Sequence, residues 1–62
     1  MTFNVGDLVY MPSIENEPKI YGMVRSITTD AHYRINYYEI YWFNDGTTSE
    51  ELGHDLFLVL DE

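Results

Sequence analysis

Residues 37–43, Tyr-Tyr-Glu-Ile-Tyr-Trp-Phe, run directly into Asn44-Asp45-Gly46, and this stretch constrains the fold more than any other. Aromatic and β-branched side chains favour a pleated, half-buried strand. Asp-Gly supplies the positive φ angles that a turn between twisted antiparallel strands requires. A strand over 37–43, a hairpin turn at 44–46 and a returning strand from Thr47 to Glu51 or Leu52 are therefore expected. Side chains alternate across a strand, so Tyr38, Ile40 and Trp42 share one face and Tyr37, Glu39, Tyr41 and Phe43 the other. Ile40 between two large aromatics marks the first face as core; Glu39 marks the second as outward.

The remaining segments read the same way. No stretch of ten or more residues has apolar spacing at the helical period, whereas short apolar runs recur between turn signals, which predicts an all-β chain. Gly6-Asp7 opens a strand over 8–11 that Pro12 stops, since proline has no amide to donate. Residues 13–19, with two acids and a second proline, read as a loop. The second strand covers 20–28, with Gly22 a bend or a close backbone approach. Residues 29–36 read as a connection, 53–56 as a tight or 3₁₀ turn and 57–60 as a last strand. The expected core is Val9, Val24, Tyr38, Ile40 and Trp42, joined by Gly22 or Ile27 and by either Phe57 and Val59 or Leu58 and Leu60. Five short strands leave edges that need pairing, so closure into a small barrel is expected.

Composition narrows function mainly by exclusion. The 62 residues form one domain, 1–62, too small for a cleft framed by two domains. Cysteine is absent, which removes disulfides, thiolate metal sites and thiol chemistry. Stability must then come from packing, for which six Tyr, three Phe and one Trp supply the area. Eleven acids stand against three Lys and Arg, a net charge of −8. Nucleic-acid binding draws on cations that displace counterions, so direct contact with DNA or RNA is not expected. The amino-terminal residues lack the basic and apolar segments of a secretory signal, and no apolar run approaches a membrane span, so a cytoplasmic location is expected. His32 and His54 have no further His or Cys at ligand spacing and read as turn residues. No phosphate loop or nucleophile motif is present, so neither an enzyme nor a cofactor is expected.

The order Gly6-Asp7-x-Val9, Gly22-x-Val24-x-x-Ile27 and Tyr38-x-Ile40-x-Trp42-x-x-Asp45-Gly46, followed by acids and a Leu-rich end, resembles the SH3-like small barrels. The layout is closest to Tudor, chromo-barrel and KOW-type modules, and the resemblance runs from Asn4 to Leu60. It implies a single five-stranded antiparallel SH3-like barrel. In Tudor-like and chromo-like barrels rim aromatics can cage a methylated ammonium, which implies Tyr10, Tyr37, Tyr41 and Phe43 with Glu39 or Asp45; the loop at 13–19 departs from that pattern by carrying no aromatic. The nucleic-acid role of KOW-type barrels does not transfer, because their basic loops are missing. The chain also resembles small accessory proteins of tailed bacteriophages, which would place it in a host cytoplasm.

Three functional expectations follow. The first is a protein-binding module whose outward aromatics Tyr10, Tyr37, Tyr41 and Phe43, rimmed by Glu39, Asp45, Glu50 and Glu51, dock on a protein partner with basic character. The second is an acidic mimic of a phosphate array, drawing on the seven acids Glu39, Asp45, Glu50, Glu51, Asp55, Asp61 and Glu62, which occur without any Lys or Arg between 39 and 62. The third is a structural role in a homo-oligomer or virion.

Overall fold

The computed structural model describes residues 2–12 and 18–60. The strands are β1 (Leu8–Met11), β2 (Ile20–Asp30), β3 (Ile35–Trp42), β4 (Thr48–Leu52) and β5 (Phe57–Leu58), with a 3₁₀ turn at Gly53–Asp55 between the last two. All neighbouring strands are antiparallel and lie in the order β4-β3-β2-β1-β5. The all-β expectation therefore holds. The sheet is nevertheless open among the described residues: β4 pairs only with β3, and β5, just two residues long, only with β1. The loop expected over 13–19 lies outside the described residues except for Pro18 and Lys19.

The β2–β3 hairpin is longer than its sequence suggests. Residues 29–36, expected as a connection, contain two further strand pairs, Thr29↔Asn36 and Asp30↔Ile35. Thr29 Oγ1 donates to Asn36 Oδ1 at 2.7 Å, so polar residues typical of loops instead hold the ladder together. Asp30 Oδ1 then accepts the backbone N–H groups of His32 (3.0 Å) and Tyr33 (3.2 Å), and Arg34 takes a left-handed φ of 58°. An aspartate that satisfies the turn's amides in this way lets four residues reverse the chain.

Gly22 is a close approach. A Cβ at this position would lie 2.6 Å from both Ile40 Cγ2 and the Tyr41 carbonyl oxygen. The register break in β2 falls elsewhere, between Val24 and Ser26, where Arg25 is the extra residue. A bulge of one residue reverses the alternation beyond it. Gly22, opposite Trp42, and Ile27, opposite Tyr38, therefore both point to the core face, but only Gly22 is buried there; Ile27, expected as its alternative in the core, is exposed beyond the core cluster.

The five expected core residues are all buried, and Phe3 and Leu56 complete the cluster, with Met11 packed against it. Phe3 meets Tyr38 edge-on at 5.3 Å. It is held there by the turn that follows it: Asn4 N–H donates to Asp7 Oδ2 at 2.8 Å, Gly6 has φ 95°, and Gly6 N–H donates to the Val24 carbonyl at 2.9 Å. The expectation that the last strand feeds the core needs correction. Phe57, Leu58 and Leu60 are exposed, and Leu56, at the end of the 3₁₀ turn, fills that place. The turn redirects the chain before β5 begins, so the residue it aims inward precedes the strand.

Candidate functional site: the outer face of the sheet

The face opposite the core carries the aromatic residues that packing does not use. Tyr10 on β1 stands opposite Tyr21 on β2 and Phe57 on β5. The Tyr10 ring stacks on Phe57 at 5.5 Å and lies 5.9 Å from Tyr21, and Lys19 Nζ sits 4.7 Å from its centroid. A second group forms at the β3–β4 hairpin, where Tyr41 and Phe43 meet edge-on at 5.8 Å. The two groups are adjacent because Phe43 N–H donates to the Tyr21 carbonyl at 3.0 Å. Leu8 and Met23 extend the same face beside Tyr41.

This strip is open to solvent: Leu8 is 46%, Tyr21 45%, Phe43 52% and Phe57 45% exposed. Such a density of aromatic surface across β5-β1-β2-β3 is unusual for a face that only meets water. Of the residues singled out from sequence, Tyr10, Tyr41 and Phe43 belong to it. Tyr37 does not join them: it pairs with Thr28 and Leu52, about 13 Å along β3 from Tyr41 at ~3.3 Å per residue, with Glu39 between. Tyr21, Met23, Leu8 and Phe57 were not singled out. The alternation of β2 already put Tyr21 and Met23 opposite Gly22 and Val24. For Phe57 no such signal existed, because the face of a two-residue strand depends on the turn before it.

The acids occupy three distinct environments. Glu39 and Glu50 face each other across the β3–β4 ladder, with Ser26 Oγ donating to Glu39 Oε1 at 3.2 Å. Glu51 lies on the opposite face of β4, opposite Tyr38, where its carboxylate accepts from Ser49 Oγ at 2.7 Å while Ser49 Oγ accepts from Trp42 Nε1 at 2.7 Å. That chain of bonds satisfies the indole N–H at the border of the core. Asp45 is occupied within the hairpin, where its Oδ1 accepts from Thr47 Oγ1 (2.6 Å) and Thr47 N–H (3.0 Å). These bonds, the hydroxyl's first, hold the Asp45 carboxyl below the usual carboxylate range. The strip is thus bordered along β3 and β4 by Glu39 and Glu50, while Asp61 and Glu62 lie outside the described residues.

Among the described residues no group of three His, Cys, Asp or Glu side chains is placed to hold a metal ion. His54 Nε2 lies 3.3 Å from Asp55 Oδ1 on the surface of the 3₁₀ turn. No pocket interrupts the described surface, and no described helix is long and apolar enough to cross a membrane. What the arrangement offers chemically is a shallow aromatic platform with an acidic border. Comparison with protein-family models, curated proteins and solved structures finds no match.

Proposed function

We propose that the protein is an acidic binding module that docks on a protein partner through the outer face of its sheet. The observation that carries this reading is the continuous strip in which exposed Phe57, Tyr21 and Phe43 flank half-buried Tyr10 and Tyr41. Aromatic side chains bring large contact area with few rotatable bonds to immobilise, which suits them to the centre of an interface. Glu39 and Glu50 beside the strip, with a net charge of −8, favour a partner whose apolar centre is rimmed by Lys or Arg. The strand order, and the 3₁₀ turn leading into β5, support assigning the open sheet to the SH3-like class.

Affinity capture with the intact chain and with single variants tests this. Tyr21→Ser and Phe43→Ser should abolish capture of the partner while leaving the melting temperature within a few degrees, since both side chains are exposed. Tyr37→Ser, away from the strip, should leave capture intact. Equal loss in all three variants, or a homo-oligomer by light scattering that Tyr21→Ser dissociates, would replace this reading with a structural one.

The mimicry reading has one specific support, the unneutralised pair Glu39 and Glu50. Binding through it should weaken steeply between 0.1 M and 1 M salt, as the Debye length falls from ~10 Å to ~3 Å. Docking by the aromatic strip should change little over that range. Glu39→Gln with Glu50→Gln is the cleaner charge-neutral variant, because Glu51 is tied to Ser49 and Trp42.

A further inference from the structure

Among the described residues, the outer edge of β4 combines unpaired backbone with an unresolved charge conflict. Hydrogen-bonded and non-bonded pairs alternate along an antiparallel ladder. Trp42 N–H donates to the Thr47 carbonyl at 2.8 Å, so counting along the register makes Ile40↔Ser49 and Tyr38↔Glu51 the bonded pairs. The N–H and C=O groups of Thr48 and Glu50 and the N–H of Leu52 therefore point away from β3, and no described strand meets them, while the Leu52 carbonyl caps the 3₁₀ turn. The opposite edge differs, because β5 is only two residues long.

Glu50 also stands directly opposite Glu39, and like charges in that position are destabilising. Ser26 Oγ donates to Glu39, while no described side chain donates to Glu50. The row Ser26, Glu39, Glu50 thus ends at the open edge on an uncompensated carboxylate. The next position in that row would belong to a strand laid against β4. A cation there would meet Glu50 at the spacing of a cross-strand pair.

We propose that the β4 edge accepts an extended segment of a protein partner by strand addition, with a Lys or Arg of that segment beside Glu50. Main-chain bonds to Thr48, Glu50 and Leu52 provide the affinity, and the cation beside Glu50 provides the selectivity. A second copy of β4 fits poorly, since its sequence Thr-Ser-Glu-Glu-Leu would bring further carboxylates to Glu50. This site shares Glu50 with the border of the aromatic strip but uses backbone rather than aromatic contacts, so Tyr21→Ser and N-methylation of a probe peptide tell the two apart.

The probe is an end-blocked peptide, Thr-Val-Thr-Lys-Thr-Val-Thr, with two controls: Glu in place of the central Lys, and N-methylated amides at alternate positions. Amide hydrogen exchange and ¹⁵N shifts are followed during titration. The Lys peptide should slow exchange at Thr48, Glu50 and Leu52, the Glu peptide should bind more weakly, and the N-methylated peptide should not bind. Glu50→Gln should weaken the Lys peptide about 1.4- to 5-fold, the range of a cross-strand charge pair, whereas Tyr21→Ser should leave it unchanged. Equal binding of the Lys and Glu peptides, absence of any slowing at the three amides, or their prior protection in a self-associated form would each overturn the proposal.

Discussion

Gly22 shows how one missing methyl sets the geometry of the centre of this sheet. It is flanked by Val9 on one side and Trp42 on the other, and the space a Cβ needs is taken by Ile40 Cγ2 and by the Tyr41 carbonyl at 2.6 Å. A side chain can turn aside, but a carbonyl in a central ladder cannot move without its neighbours. Gly22→Ala should therefore destabilise the protein by about 2–3 kcal/mol, the upper part of the range for overpacking. Urea denaturation monitored by Trp42 emission measures this directly. A midpoint equal to that of the unaltered protein would show that the strands have room to separate. Glu51 makes a second point at this scale: the sequence places it beside Glu50, yet adjacent strand positions face opposite ways, so one borders the aromatic strip and the other serves Trp42 through Ser49.

At the level of the element, the β3–β4 hairpin depends on a single carboxylate and a single glycine. Gly46 adopts φ 73°, and its N–H donates to the Trp42 carbonyl at 2.9 Å. Asp45 binds both polar groups of Thr47, and these bonds favour its ionised form. A carboxyl whose folded pKa is depressed contributes stability at pH above its unfolded value, and that contribution disappears as pH falls through the folded value. The difference in melting temperature between the unaltered protein and Asp45→Asn should thus be present at neutral pH and shrink on acidification below the usual carboxylate range. The effect is small because Asp45 is fully exposed to solvent. A difference that stays constant from neutral to strongly acidic pH would remove Asp45 from the pH dependence. The same hairpin positions Tyr41 and Phe43, so its order and that of one end of the aromatic strip are linked.

For the molecule as a whole, stability rests on one layer of side chains under one sheet. Among the described residues, Phe3, Val9, Val24, Tyr38, Ile40, Trp42 and Leu56 form that layer. A 62-residue domain has on the order of 3–9 kcal/mol of net stability, from ~0.05–0.15 kcal/mol per residue. Ile40→Ala, at a fully buried site, should cost about 2–5 kcal/mol, a large part of that net stability, and lower the melting temperature by well over ten degrees. Circular dichroism with thermal melting reports the outcome, and a cooperative transition within a few degrees of the original would mean that the core closes over the gap. Because the core is thin, aromatic side chains left on the outer face are not needed beneath the sheet. Tyr10, Tyr21, Tyr41, Phe43 and Phe57 thus stay on the outer face, where the proposed docking uses them.

Sequence alone determined what depends on neighbours along the chain. Alternation in the run from Tyr37 to Phe43 assigned Tyr38, Ile40 and Trp42 inward, and Asp45-Gly46 announced the reversal, because side-chain direction and turn geometry are properties of a few consecutive residues. Tertiary structure decided what depends on partners distant in sequence. The bulge at Arg25 put both Gly22 and Ile27 on the core face, and Thr29 joined β2 only because Asn36 stands across from it. Leu56 replaced the last strand in the core because the 3₁₀ turn sets where the chain points before β5 begins. The aromatic strip was half legible for the same reason. Tyr10, Tyr41 and Phe43 could be read from their own strands, but their joining with Tyr21 and Phe57, and the separation of Tyr37, arise from the order and register of strands, which only long-range pairing sets.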